Sequence, residues 1–130
     1  MVKVIVGQKG SGKTKELIES IQLAVEQESG SIVCIEKGNS LRYDISYRVR
    51  LVDAQEYGIK TYDQMLGFIS GLHAGNFDIT HIFIDNLRKL LGAEASKAVD
   101  FCQWCEVFGE RNNLKFTIAI SDDPDNADEK

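Results

Sequence analysis

The sequence predicts an α/β fold of three layers, in which a parallel sheet of about five strands lies between helices. Short runs of β-branched and apolar residues alternate with longer stretches whose apolar residues recur at helical spacing. No internal repeat and no glycine- or proline-rich linker interrupts this alternation, and 130 residues suffice for one compact domain but not for two. We therefore predict a single domain over residues 1–121 and an acidic, mobile tail over residues 122–130.

Five short apolar runs are the predicted strands. The second run is short and apolar and is bounded by turn residues, which is typical of a strand buried within a parallel sheet. The third run alternates arginines with apolar residues, and this pattern favours the edge of the sheet, where the arginines reach water. In chain order the runs cover residues 2–6, 31–35, 47–53, 79–85 and 114–120.

Helices are predicted between these strands, over residues 15–25, 61–76, 86–91 and 94–112. Thr61 has the position of an N-cap, and Gly92 follows the short third helix as a terminator. Each helix should turn an apolar side toward the sheet. In the last helix we expect this side to be broad and to include Val99, Phe101, Cys102, Cys105, Val107 and Phe108.

Residues 7–14 read Gly-Gln-Lys-Gly-Ser-Gly-Lys-Thr, a complete match to the phosphate-binding pattern G-x-x-x-x-G-K-[ST]. A predicted strand precedes the match and a helix follows it, so the unpaired N–H groups of the helix start would face phosphate oxygens. A glycine-rich turn that binds nothing is the alternative, but such a turn requires neither the lysine nor the threonine. We expect the whole segment to contact nucleotide: Gly7, Gln8, Lys9, Gly10, Ser11, Gly12, Lys13 and Thr14.

Two side chains of this segment have predicted roles of their own. Lys13 would place its ammonium between the β- and γ-phosphates, as a catalytic residue, and the Thr14 hydroxyl would ligate Mg²⁺. Asp85 ends the apolar run 82–84 and would hold the same ion opposite Thr14. The alternative for Asp85 is that it caps the helix that follows.

The residue after Asp85 is Asn86, whose amide cannot accept a proton from water, although many P-loop ATPases have a glutamate there. Glu36 directly follows the second strand and would be the general base if that strand lies beside the Asp85 strand. Otherwise it is an exposed charge at a strand end. Ser121 would sense the γ-phosphate if the last strand lies between the first strand and the Asp85 strand, or else it forms a turn.

Composition narrows the classes of function. The net charge of −5 argues against general nucleic-acid binding, although Arg42, Arg48 and Arg50 fall close together. There is no apolar stretch long enough for a bilayer and no secretory leader, so we expect a cytoplasmic protein without membrane contact. The C-x-x-C pair of Cys102 and Cys105 lacks further metal ligands and is expected to be reduced and part of the core. His73 and His81 are interpreted as structural or surface residues.

The motifs resemble those of known P-loop NTPases. The loop and the apolar strand ending in aspartate are similar to RecA-like ATPases, which use a glutamate at the end of the neighbouring strand. Segments 7–14, 57–59, 67–71 and 77–85 together resemble a family of small bacterial P-loop proteins, often labelled ATP-binding or twitching-motility proteins. The order of loop, strand, Arg42-Tyr43 and Asp85 is also similar to RecA-like thymidine kinases, from which this sequence departs at Asn86 and in its lone cysteine pair.

These observations predict a Mg-ATP-binding protein that is a slow ATPase. ATP is favoured over GTP because the guanine-reading Asn-Lys-x-Asp pattern is absent from the sequence. One alternative is a non-catalytic nucleotide-binding sensor, which is favoured by Asn86, whose amide cannot accept a proton, and by the small size of the chain. Another is a kinase for a nucleoside-type acceptor, clamped by Arg42, Arg48 and Arg50. A protein partner or self-association is also possible on the sequence alone.

Overall fold

The structure, a computed structural model, describes residues 1–7, 12–38, 40–92 and 94–121, except for the side chains of Ala95 and Ser121. These residues form an α/β fold around one five-stranded parallel sheet. Its strands are β1 (Val2–Gly7), β2 (Ser31–Glu36), β3 (Val49–Asp53), β4 (Ile79–Ile84) and β5 (Lys115–Ser121). The spatial order is β1-β5-β4-β2-β3, so β1 and β3 are the edges. The helices are α1 (Lys13–Gln27), α2 (Tyr62–Gly75), α3 (Leu87–Leu91) and α4 (Ala95–Asn112).

Each face of the sheet is covered, because alternate residues of a strand point to opposite sides. In β4, Ile82 and Ile84 pack with α2, α3 and α4, whereas Phe83 packs with α1 on the other face. The described residues between β2 and β3 contain no helix, and turns in segment 40–45 bring Leu41 and Ile45 onto the α1 face. The predicted three layers are therefore confirmed.

Local sequence signals account for the ends of the elements. Thr61 and Gln64 form a capping box at the start of α2: the Gln64 N–H donates to Thr61 Oγ1 and the Thr61 N–H donates to Gln64 Oε1, each at 3.1 Å. At the other end of the sequence, Asn113 ends α4 in the left-handed conformation with φ 55°. A Cβ at Gly109 would collide with the carbonyl oxygen of Leu114, so a glycine is required where α4 leads into β5.

The predicted strand positions agree with the structure to within two residues, and the arginine-bearing strand β3 is at an edge as predicted. One expectation about α4 is wrong. Val99 and Val107 do not face the sheet but are 55% and 56% exposed. The fully buried stripe is narrower than predicted and consists of Ala98, Phe101, Cys105 and Gly109, while Cys102 and Phe108 are half-buried. The two valines lie beside this stripe because each residue of a helix is rotated by about 100° from the one before it.

Across the described residues, no helix combines the length and the apolar character that crossing a membrane requires.

Candidate functional site

The first strand delivers the glycine-rich loop to the carboxyl edge of the sheet. Gly7 is the last residue of β1 and pairs with Ser121 of β5. Gly12 caps α1 with φ 89°, a left-handed conformation in which a side chain would be strained, and Lys13 is the first helical residue. Of the predicted loop contacts, residues 8–11 (Gln8, Lys9, Gly10 and Ser11) lie outside the described residues. The described ends of the loop have the strand and the helix that the motif requires.

The connections that leave the strands diverge at this edge. From β1 the chain continues into α1 on one face of the sheet, whereas from β4 it continues into α3 and α4 on the opposite face. Such a divergence leaves a crevice beyond the carboxyl ends of the strands, where open α/β sheets bind their ligands. In the sheet order, β1 and β4, which these two connections leave, are separated only by β5. The crevice between the connections therefore lies beside the start of α1.

Asp85 lies at this edge, directly after β4. Its N–H donates to the carbonyl oxygen of Ile35 at 2.9 Å, which ties it to the end of β2. Its side chain is half-buried, and burial raises the pKa of the carboxyl although the positive charges of Lys13 and Lys89 act in the opposite direction. Lys13 and Asp85, 72 positions apart in the sequence, are therefore within electrostatic reach of each other.

Asn86 has a structural role that the sequence pattern did not indicate. It adopts φ 53° and caps α3, its Oδ1 accepting a hydrogen bond from the Lys89 N–H at 3.4 Å. Asparagine tolerates this left-handed conformation better than glutamate. The cap of α3 is thus Asn86, and the alternative that Asp85 caps this helix is wrong.

Glu36 is the last residue of β2 and is almost fully buried, with 1% of its surface exposed. The alternative of an exposed strand-end charge is therefore wrong. Its Oε1 accepts a hydrogen bond from Ser40 Oγ at 3.1 Å, and its Oε2 accepts one from the Leu41 N–H at 3.3 Å. As the sequence predicts, β2 lies next to β4.

The environment of Glu36 perturbs its proton affinity. Burial raises the pKa of the Glu36 carboxyl, the bonds from Leu41 and Ser40 lower it, and the negative charges of Asp85 and Asp53 raise it further, so the net shift is upward. Two residues earlier on the same strand, burial raises the pKa of the Cys34 thiol, which is kept neutral. A buried carboxyl group with a perturbed pKa at the end of a strand makes Glu36 a candidate for a functional site.

Two other predicted site residues can be placed only in part. Thr14 is the second residue of α1 and its side chain is exposed. Strand β5 lies between β1 and β4, the arrangement on which the prediction for Ser121 depends. The Ser121 side chain itself is outside the described part of the chain, and its role stays a prediction.

The three arginines do not form one cluster. Arg42 follows Leu41 on the α1 side, where its guanidinium carbon lies 4.7 Å from the centre of the Tyr43 ring. Arg48 and Arg50 instead line a cavity with α2 on the opposite face. An anion clamp built from all three side chains, as considered for a kinase, is therefore not present.

Metal-binding clusters of three or more His, Cys, Asp or Glu are absent among the described residues. The thiols of Cys102 and Cys105 are both free, and Cys105 is fully buried. The prediction that this pair belongs to the core is confirmed for Cys105, while Cys102 is half-buried.

Sequence reasoning missed Ser40 and the Leu41 backbone, which hold Glu36. Ser40 and Leu41 come shortly after β2, in a segment that begins with a lysine and a glycine. From the sequence, this segment indicates only that a strand has ended. A serine four residues after a strand-end glutamate is a weak signal, because only the turn geometry brings the hydroxyl back to the carboxylate. No protein-family model matches this sequence, and a search of curated proteins gives no significant match.

Proposed function

We propose that this chain is a P-loop NTPase with a RecA-like sheet, which binds Mg-ATP at the carboxyl edge of the strands and hydrolyses ATP slowly. The observation that carries the proposal is that the charge of Lys13, at the start of α1, acts on Asp85 directly after β4, and that the charge of Asp85 in turn acts on Glu36 at the end of the neighbouring strand β2. The sequence match of residues 7–14 supports the same conclusion independently.

The donors available at this edge suit Mg²⁺. Thr14 offers an exposed hydroxyl and Asp85 a half-buried carboxylate, and hard oxygen ligands are what this ion prefers. The lack of a three-ligand cluster among the described residues is compatible with magnesium, since at nucleotide sites the ion takes one or two protein ligands and fills the rest with phosphate and water. Once bound, Mg²⁺ would neutralise part of the negative charge of the phosphates.

Glu36 is proposed as the general base. Its carboxylate would accept a proton from a water molecule while the water oxygen forms a bond to the γ-phosphorus and the bond from that phosphorus to the bridging oxygen of ADP breaks. The raised pKa of Glu36 strengthens it as a base, provided that it is ionised. Lys13 would offset the charge on the phosphates throughout.

The proposed rate is slow for two reasons. Both Glu36 oxygens already accept hydrogen bonds, from Ser40 and from the Leu41 backbone, so water must compete for the carboxylate. The position after Asp85, where a second carboxylate could act, is occupied by the helix cap Asn86.

The proposal is tested by calorimetric titration of the protein with ATP, ADP and GTP in the presence of Mg²⁺, followed by measurement of phosphate release on the same sample. We expect saturable binding of ATP and ADP, weaker binding of GTP, and phosphate release well above that of Lys13→Ala. Failure of ATP to bind would refute the proposal as a whole.

A second candidate, a nucleotide-dependent binding module without turnover, is favoured by the segment that holds Glu36. This segment continues from Ser40 and Leu41 into Tyr43 and Tyr47, whose side chains are 84% and 97% exposed. A nucleotide whose phosphate charge displaces the Glu36 carboxylate would shift this segment and alter the surface that carries the tyrosines. Tight ATP binding without phosphate release, together with an ATP-dependent change in tyrosine fluorescence, would favour this candidate over the ATPase.

A further inference from the structure

A cavity of about 540 Å³ opens at the amino ends of β2, β3 and β4, on the face that carries α2. Its walls come from the edge strand β3 and from the second half of α2. The volume falls in the range of about 300–1,000 Å³ that is usual for small-ligand sites. Since the proposed nucleotide site lies at the carboxyl ends of these strands, the cavity is at the opposite edge of the sheet and has no part in the proposed function.

One wall of the cavity is basic. Arg48 immediately precedes β3 and Arg50 lies within it, so the two side chains project from the same side of the strand and both line the cavity. Both are exposed, and neither forms a salt bridge with another residue in the described part of the chain. In a chain with a net charge of −5, two adjacent arginines without carboxylate partners are a local concentration of positive charge available to an anion.

The remaining walls are apolar and aromatic. The rings of Tyr57 and Phe68 lie with their centres 5.6 Å apart, and Leu72 continues this wall along α2. Tyr57 remains 51% exposed, so part of this aromatic surface faces the cavity opening and not the core. Aromatic and apolar walls with a few convergent charged groups are typical of sites for small organic ligands.

The floor of the cavity is formed by glycines. Gly71 and Gly75 are one helical turn apart in α2, and a Cβ built at either position would have no atom within 4 Å. Glycine is the poorest helix former apart from proline, so its use at two positions in the second half of a helix is unfavourable for folding. Packing within this chain does not require these glycines, whereas they leave open the space in front of the two arginines.

We propose that this cavity, defined by Arg48, Arg50, Tyr57, Phe68, Gly71 and Gly75, binds a small amphipathic organic anion. The guanidinium groups pair with the carboxylate, sulfonate or phosphate of the ligand, for which the planar fork of arginine is well suited. The apolar body of the ligand packs on the aromatic wall and over the glycine floor.

The test uses a matched pair of fluorescent probes, 8-anilinonaphthalene-1-sulfonate and the neutral N-phenyl-1-naphthylamine, which share their rings and differ in the sulfonate. We expect saturable binding of the sulfonate at one site and binding of the neutral probe weaker by about tenfold or more, because a charge-assisted hydrogen bond contributes at least that factor. Amide NMR shifts on adding the sulfonate should be largest at Gly71, Gly75 and Asn76.

Variants separate the charge from the shape of the cavity. Arg48→Gln combined with Arg50→Gln should weaken binding of the sulfonate by about tenfold or more, while Arg111→Gln, on the exposed side of α4, should leave it unchanged. Gly71→Leu should block both probes without loss of folding, since no atom lies within 4 Å of its Cβ. All three variants should keep wild-type ATP binding, which makes failure here distinguishable from failure of the nucleotide proposal.

Any of three results with the wild-type protein would overturn the inference: no saturable binding of the sulfonate, equal affinity for the two probes, or NMR shifts confined to residues away from α2 and β3. Unchanged affinity in the double glutamine variant would equally do so, because it would remove the arginines from the site.

Discussion

Ser40 Oγ donates a hydrogen bond to Glu36 Oε1 over 3.1 Å, so a serine in the turn after β2 holds the carboxylate that ends the strand. This bond stabilises the ionised form of Glu36 and opposes the rise in its pKa caused by burial. Ser40 therefore lowers the proton affinity of the candidate base, although burial, the largest effect, raises it.

Ser40→Ala should shift the pH dependence of turnover. Without the hydroxyl, the pKa of Glu36 rises further above its ordinary value of 4.5, and the acid limb of the rate profile moves to higher pH. The cost in stability should be about 0.5–1.5 kcal/mol, as for an ordinary hydrogen bond. The measurement is phosphate release against pH, with Ser70→Ala as the control, since Ser70 Oγ donates to Leu66 O within α2. An unmoved acid limb would exclude Glu36 as the titrating base.

Glu36→Gln should separate ATP binding from hydrolysis. Glutamine has nearly the same shape and can still accept the bond from Ser40, but it cannot take a proton from water. We expect calorimetric ATP affinity close to wild type and phosphate release reduced by about a hundredfold or more, the usual contribution of a general base. Glu26→Gln, at an exposed position of α1, is the matched control. Full turnover in Glu36→Gln would show that another group activates the water.

Asp85→Asn should raise thermal stability while it weakens the effect of magnesium. The folded-state pKa of Asp85 lies above 3.8, so an ionised Asp85 destabilises the folded protein at neutral pH relative to the unfolded chain. Removing the charge should therefore raise Tm at pH 7, and the gain should vanish in acid, where wild-type Asp85 is protonated in both states. Functional sites often cost stability in this way. Thermal unfolding at pH 7 and pH 3 measures the effect on stability. ATP titrations with and without Mg²⁺ measure how far the variant weakens the effect of magnesium on binding.

The contrasting Asp63→Asn exchange provides the control for this effect. Asp63 is exposed in the first turn of α2, where a negative charge favours the helix, so its loss should lower Tm slightly. If Asp85→Asn also lowers Tm at pH 7, the carboxylate is stabilised in the fold by its lysine neighbours and the assigned direction of its pKa is wrong.

The positions of the strands, the edge position of β3 and the residues at the strand ends were predictable from the sequence, because these features depend on local patterns. Asp85 and Glu36 could be identified from an apolar run that ends in a carboxylate. The burial of Glu36 could not, because it depends on how the turn at Ser40 folds back. The role of Asn86 could not be predicted either, because it depends on a left-handed φ that the backbone adopts at the start of α3. The breadth of the apolar side of α4 was overestimated because hydrophobic residues such as Val99 can lie at a surface.

A network of hydrogen bonds ties the end of α1 to the sheet. His81 Nδ1 lies 2.8 Å from Glu28 Oε2, and His81 Nε2 lies 2.8 Å from Thr117 Oγ1. With neutral His81 protonated on Nδ1, the ring donates to the carboxylate and accepts from the threonine hydroxyl. Thr117 is 3% exposed, so one end of this chain of bonds is buried in the sheet and its role is structural.

Acidification below pH 6.5 should weaken the fold through His81. Burial lowers the pKa of His81 below its ordinary 6.5, and the charge of nearby Glu28 only partly offsets this. Between 6.5 and the lower folded-state pKa the unfolded chain binds a proton that the folded protein does not, so the contribution present above pH 6.5 is lost as the pH falls. The urea midpoint should drop from pH 7.5 to pH 5.5, and drop less in His81→Gln. The control is His73→Gln, which removes a ring that packs on Phe77 and Phe108. In this variant the urea midpoint should change as it does in wild type. An identical drop in His81→Gln would assign the effect to other groups.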